Sequence, residues 1–447
     1  MKLKFLGAAG TVTGSGYLFT NDHTKFIIDF GMFQGTKEEE SLNTRPLDFL
    51  PSEVDAVLLT HAHLDHCGRL PLLVKKGFRG PIYATEVTQE LAEIVLFDSA
   101  KIALSDQENK LINPLYTEHD VVETIKLFKT IDYHEPQEFK HLKFEYINAG
   151  HILGSASIKI TTPQNQSIIF SGDIGAYPDL LIPHTEFFEN ANFVVMESTY
   201  GGRAHPNENP IELFAEHLNS ADATKGTLLI PAFAIQKTQV LLCLIKELKA
   251  QKKIRPDLPV FLDSPMATET TKIYADHSYL FNDRFQNDST PFDSPALNVA
   301  LRNKQSSQIK RTKGAKVIIA GSGMMTGGRV LSHAKEYLPD PNASVLFVGY
   351  QAAETLGRDL KQGATEVKID SQKYPVYCKI KEINSLSSHA DEPHLLNWLK
   401  NIKNINTLFL THGDDDSRIK LASEVRRKLA VPEIILPKLN EEINLEV

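Results

Sequence analysis

Residues 58 to 73 read LLTHAHLDHCGRLPLL, an apolar run that empties into His61, His63, Asp65 and His66 within six positions. No other stretch constrains the fold as tightly. Alternate residues of an extended segment point the same way, so His61 and His63 can grip one metal ion. Asp65 and His66, on the turn that follows, can reach a second. Imidazole and carboxylate are ligands that zinc takes, and iron and manganese accept them too. Such a segment cannot complete two sites alone, so the fold has to bring other strand ends to it. His151, Asp173 and His412 each follow an apolar run, and His389 follows the polar stretch NSLSS at 384–388. Two ions about 3.5–4 Å apart need a bridging anion, a role that suits Asp173. His151 would complete the first set and His412 the second, and a water held between the ions would lose a proton near neutral pH. Taken singly, His151 after a glycine, Asp173 in Ser-Gly-Asp and His412 before a glycine are ordinary loop or turn residues. The crowding at 61–66 is what turns them into candidates.

The 447 residues exceed one ordinary domain, so two are expected, or one carrying a large insertion. The opening third alternates short strands with turns, as in KLKFLGAAG, SGYLFT, KFIIDFG and VDAVLLT, then gives helical stretches around LPLLVKKGF and TEVTQELAEIVLF. Strand-and-loop units follow at FEYINAGHILGSASIKI, QSIIFSGDIG and ANFVVMESTYGG. After about Gly201 the rhythm changes to alternating helices and buried strands, among them GTLLIPAFA, LPVFLDSP, KVIIAGSG and SVLFVGY. That pattern implies a parallel sheet flanked by helices. RNKQSSQIKRTKG is left as helix or loop, and the earlier style returns from about Lys379.

A net charge of −8 argues against a generally basic nucleic-acid coat, though not against a local basic channel. The three cysteines make neither a disulfide framework nor a CxxC zinc pattern. No run approaches the roughly 20 apolar residues of a membrane helix, and the N-terminus lacks a secretory core. The expectation is a cytoplasmic protein with no membrane partner.

THAHLDH, with Asp29 in IIDFG, His151 in AGHILGS and Asp173 in FSGDIG, resembles the motif series of the metallo-β-lactamase superfamily. MESTYGGRAH, PAFAIQKTQ, DSPMA, AGSGMMTGGR, VGYQAAETLGR, SSHAD and THGD follow in order and resemble the β-CASP subgroup, whose members include ribonucleases. The resemblance implies a mixed α/β protein: an αββα metallo-β-lactamase sandwich in residues 1–204 and 379–447, with a β-CASP domain inserted at 205–378. It implies two zinc ions, one on His61, His63, His151 and Asp173, the other on Asp65, His66, Asp173 and His412. Asp65, Glu197 and His389 would be catalytic. A protonated His389 oriented by Glu197 would act on the leaving oxygen, and Asp29 would hold a ligand histidine from behind.

For the substrate strand, the turn Gly321-Ser322-Gly323-Met324-Met325-Thr326-Gly327-Gly328-Arg329 follows a buried strand and opens a helix, where backbone N–H groups can meet phosphate. Ser322, Gly323, Thr326, Gly327, Gly328 and Arg329 are the candidates there, with Arg203, His205, Lys237 and Arg358 as further cations or donors. The chain departs from the family at Gly202, where an acid is usual, and at Gln236-Lys237, where Gly-Arg is commoner. The expected activity is metal-dependent hydrolysis of single-stranded RNA. It is expected to be endonucleolytic, because the long C-terminal extension of some relatives is missing, and a homodimer is expected by analogy. Rival readings are a 5′–3′ exoribonuclease, a DNA nuclease, a small-molecule metallo-hydrolase and a non-catalytic scaffold. His412, which DNA-directed members tend to lose, favours RNA.

Overall fold

The computed structural model describes residues 1–22, 24–110, 113–176, 179–286, 288–352 and 354–446, and of residues 105–110 the backbone alone. The chain forms two compact units, Met1–Ala204 with His389–Val447, and His205–Ser388.

The first unit is built on two seven-stranded sheets. One runs in the order Glu442–Asn444, Lys2–Phe5, Gly16–Asn21, Thr24–Phe30, Ala56–Leu58, Ile82–Ala84 and Phe128–Thr130. The other runs Glu433–Ile435, Thr407–Thr411, Phe193–Glu197, Ser167–Phe170, Ala156–Thr161, Leu142–Asn148 and Gln137–Phe139. Period-two alternation explains the layering. Ile168, Phe170, Phe193, Val195 and Phe409 face Phe5, Phe19, Phe26 and Ile28 of the other sheet. Their neighbours Ile169, Val194, Met196, Leu408 and Leu410 turn outward onto Leu395, Trp398 and Leu399 of helix Glu392–Lys400 and Leu421 and Val425 of helix Asp415–Lys428. Strands buried on both faces read as unbroken apolar runs for this reason.

The second unit is a six-stranded, wholly parallel sheet ordered Leu297–Val299, Val260–Asp263, Lys316–Ala320, Thr227–Pro231, Ser344–Phe347 and Lys379–Glu382. This is the flanked parallel sheet that the alternation implied. The stretch left open at 302–314 contains a helix, Asn303–Ile309. One boundary needs correction. Residues 379–388, expected with the C-terminal segment, belong to the second unit, because Lys379–Glu382 pairs with Ser344–Phe347 as its edge strand. Among the described residues no helix is long and apolar enough to cross a membrane.

Candidate metal centre

The seven expected ligands all lie in the first unit, in the segments that follow its strands, with Asp65 and His66 on the short helix Leu64–Cys67. Hydrogen bonds fix which nitrogen His61, His66 and His412 offer as neutral rings. Thr60 donates its hydroxyl proton to Asp29 Oδ2 at 2.8 Å, so at 3.0 Å its oxygen accepts from His61 Nδ1 and leaves His61 Nε2 bare. His66 Nδ1 donates to Asp29 Oδ2 at 2.8 Å, which bares its Nε2 as well. Thr199 donates to the His412 carbonyl and accepts from His412 Nδ1 at 3.0 Å, with the same result.

These lone pairs converge. His61 Nε2 and His151 Nε2 each lie 3.1 Å from His63 Nδ1 and 3.5 Å from Asp173 Oδ2. On the other side His66 Nε2 is 3.3 Å from His412 Nε2, and both lie within 3.6 Å of Asp173 Oδ1. Asp65 Oδ2 reaches His412 Nε2 at 3.4 Å. As neutral rings in these tautomers, His66 and His412 cannot hydrogen-bond to one another through Nε2. Zinc–nitrogen bonds of about 2.0–2.1 Å in a tetrahedron, however, set ligand atoms about 3.3 Å apart. Asp173 Oδ1 is buried with no hydrogen-bond partner, which a cation between the two rings would remedy. The donors therefore fit divalent metal, in one group of His61, His63, His151 and Asp173 and another of Asp65, His66 and His412. Asp29 and His412 sit at φ values of 53° and 47°, strained conformations that these hydrogen bonds sustain.

Electrostatics agree with a site made for positive charge. Burial, reinforced by His66, pushes His61 well below the usual imidazole range, and burial takes His63 down to about 4, so both stay neutral. For His66 and His412 burial also opposes charge, but Asp173, with Asp29 for the first and Asp65 for the second, outweighs it and raises both. Burial likewise works against the Asp173 carboxylate, yet His412, His66 and His61 hold it well below the carboxylate range.

Beside these groups His389 Nδ1 lies 3.4 Å from both Glu197 oxygens and 3.9 Å from Asp173 Oδ2. Glu197 is fully buried, receives the Ile174 N–H at 2.6 Å on Oε1 and leaves Oε2 without a hydrogen bond. Burial alone would discharge His389, but Glu197 outweighs it and raises the imidazole to about 9. The His389 side chain is 20% exposed and that of Asp65 19%, against 0–5% for His61, His66, His151, Asp173 and His412. These two can meet a substrate.

Thr60, Thr199 and Ser171, whose hydroxyl receives the Glu197 N–H at 3.0 Å, were not singled out from the sequence. A lone hydroxyl at a strand end carries no periodic signal. Only adjacency to His61, Glu197 and Asp173 could have pointed to them.

The expected strand-binding residues fare unevenly. Arg203 is exposed, with Asp414 3.9 Å away, and Arg358 is exposed. His205 is half-buried in the second unit. In the turn, Ser322 Oγ accepts the Thr326 N–H at 2.9 Å and the Gly327 N–H at 3.4 Å, so these N–H groups already have a partner. Gly323 is buried, while Gly328, which caps helix Arg329–Tyr337 at φ 75°, is exposed. Two cations are corrected. Lys237 is buried and its ammonium donates to the Leu386 carbonyl, and Arg329 binds Asp263 Oδ1 at 2.7 Å and the Ala300 and Leu301 carbonyls. A cation committed to internal acceptors is not presented to a strand. The departures from the family pattern also have local causes. Gly202 adopts φ 75° against the Lys420 side chain, and Gln236 is buried with its Oε1 accepting the Tyr274 hydroxyl at 2.9 Å.

The sequence matches a metallo-β-lactamase superfamily domain over residues 18–197, a β-CASP domain over 238–360 and a zinc-dependent metallo-hydrolase RNA specificity domain over 373–437. It is 35% identical to Ribonuclease TTHA0252 of Thermus thermophilus, covering 94% of this chain and 95% of the relative. It is 31% identical to Transcription termination factor FttA of Methanosarcina mazei, over 96% and 70%. Probable RNase MJ4 of Methanocaldococcus jannaschii is 29% identical over the full length of both. A crystal structure of a protein of unknown function from Enterococcus faecalis V583 shares the fold, with a TM-score of 0.51 at 12% identity over 99% of each chain. With three domain matches in sequence order, and near end-to-end alignment with the Thermus relative, the chain belongs to the β-CASP group of the metallo-β-lactamase superfamily.

Proposed function

We propose that this protein is a metal-dependent ribonuclease that hydrolyses internal phosphodiester bonds of single-stranded RNA, using two zinc ions. The observation that carries the reading is the pairing of two donor groups across Asp173 with His389 and Glu197 immediately beside them. The names of the Thermus and Methanocaldococcus relatives point to the same polymer.

His61, His63, His151 and Asp173 would hold one ion, and Asp65, His66, Asp173 and His412 the other. Divalent metal there supplies Lewis acidity toward phosphate oxygen and makes hydroxide available at neutral pH. The chain's own contribution is positional. Thr60, Asp29 and Thr199 lock the ring tautomers, so the donor atoms need little rearrangement. His389 faces Glu197 through Nδ1, and the protonated ring would give a proton to the departing ribose oxygen. Glu197 keeps that proton on the ring at neutral pH. Exposed Arg203 and Arg358 would meet phosphates of the strand.

The test uses one oligonucleotide made as RNA and as DNA, labelled at either end, with zinc-loaded protein and its Asp65→Ala and His389→Ala variants. Internal RNA products that vanish in both variants are expected. Mononucleotides from one end would replace the endonucleolytic mode with an exonucleolytic one. DNA cleaved as well as RNA would overturn the substrate, and intact RNA under all conditions would overturn the reading. Metal content of the same preparations tests the ion count, and sedimentation tests the expected homodimer.

A further inference from the structure

Beside the centre the first unit carries a hollow of about 200 Å³. Its floor is Ile174 and Trp398, 1% and 3% exposed, and its wall is Phe187, an aromatic ring left 46% exposed. His184, His394 and Asn397 stand around its rim. The backbone ties it to the chemistry. Ile174 and Gly175 directly follow Asp173, Gly175 pairs with His389 as a β-bridge, and the Ile174 N–H binds Glu197. Two residues of chain span at most about 7 Å, so Gly175 on the hollow's lining lies within one nucleotide's length of Asp173.

We propose that this hollow is a base-binding subsite that seats the nucleobase next to the cleaved phosphate. The inference rests on the ribonuclease reading and adds to it a specificity pocket. Its chemistry suits a flat heteroaromatic ring. An apolar floor with one aromatic wall accepts a π face. Imidazole and carboxamide groups offer both donors and acceptors to a base edge. Among the described residues no lysine or arginine lines it, so its lining does not suit phosphate. Two features hold the shape. Trp398 Nε1 donates to the Glu186 carbonyl at 2.9 Å, and Asp391, the cap of helix Glu392–Lys400, fixes the His394 ring through Nδ1. The protein therefore enters the encounter with the pocket already formed, and ordering costs little.

The test compares metal-loaded wild type with Phe187→Ala and Phe187→Trp on RNA carrying a single abasic nucleotide, walked along the positions flanking the cut. Loss of one stacked base predicts about a tenfold rise in KM for Phe187→Ala with kcat kept, and recovery in Phe187→Trp. One abasic position should cost the wild type the same factor and cost Phe187→Ala nothing further. Wild-type KM in Phe187→Ala, or an abasic penalty that persists in full in that variant, would overturn the subsite while leaving the ribonuclease intact. A second measurement needs no turnover. RNA containing 5-iodouracil is photo-crosslinked to the Asp65→Ala protein and the adducts are mapped. Adducts at 184–187 or 394–398 support the pocket even if no RNA is cleaved, and adducts confined to other segments reject it.

Discussion

Two buried aspartates at strand ends, Asp173 in the first unit and Asp263 in the second, invite the same reading and have opposite surroundings. Both stand against histidines. Asp173 has four imidazole nitrogens within 3.6 Å, yet Oδ1 finds no hydrogen bond. Asp263 is closed. Its Oδ1 receives Arg329 at 2.7 Å, and its Oδ2 receives both His333 and Ser306 at 2.6 Å. A buried carboxylate whose acceptors are all filled is a structural tie. One ringed by imidazoles with an oxygen left unsatisfied suits a cation. Burial and a histidine neighbour therefore do not make a site; the deficit in hydrogen bonds does.

The comparison can be broken at several points. The largest effect is expected from Asp173→Asn. Cleavage should fall by about 10³-fold or more, because several kcal/mol of metal-borne stabilisation is lost. Far-UV dichroism and the melt of metal-free protein should barely change. If that variant unfolds while retaining activity per folded molecule, Asp173 is the tie and not the bridge. Next comes Asp263→Ala, which strands Arg329 and His333 and should cost about 3 kcal/mol of stability, read as an earlier denaturant midpoint. The native Asp263 carboxyl is held low: burial works against the charge, but hydrogen bonds from His333, Ser306 and Arg329 outweigh it. A lowered carboxyl contributes stability above its unfolded value of about 3.9 and loses it as pH falls through the native value. The wild type's lead over Asp263→Ala should therefore shrink below about pH 4.

Chelation of divalent metal should lower wild-type stability by about 3 kcal/mol when metal had been present at a hundred times its dissociation constant. The same treatment should leave the metal-free melt of Asp173→Asn where it was. An equal response from Asp173→Asn would place the metal elsewhere. Glu197→Gln tests the acid partner. The Glu197 carboxylate keeps the His389 proton on, so its loss should move the alkaline limb of the pH–rate profile to lower pH. An unmoved limb would separate Glu197 from His389. Smallest of all, Arg203→Ala should change stability by less than about 1 kcal/mol, because its ion pair with Asp414 is long and exposed.

Much of this organisation was legible in the chain. The HxHxDH segment announced its donors because four ligand types in six positions have no competing structural use, and unbroken apolar runs such as Val194–Met196 and Ile318–Ala320 marked strands buried on both faces. Short edge strands were not legible. Glu442–Asn444 is only three residues long and pairs with the chain's opening strand Lys2–Phe5, across almost the whole sequence. The boundary at 378 was misplaced for a similar cause: Lys379–Glu382 is an exposed, polar edge, and pattern does not say which sheet it joins. Lys237 and Arg329 lie beside motifs and so resemble strand-binding cations, but proximity in sequence does not report which way a side chain turns.

The sequence by itself determined the donor types, their order along the chain and the alternation of buried strands, since these depend on residue chemistry and on periods of two and 3.6. Tertiary structure decided the rest. It set which imidazole nitrogen is bare, because that depends on Thr60, Asp29 and Thr199 arriving from separate elements. It left Asp173 unsatisfied and closed Asp263, because hydrogen bonds are filled by neighbours in space and not by neighbours in sequence.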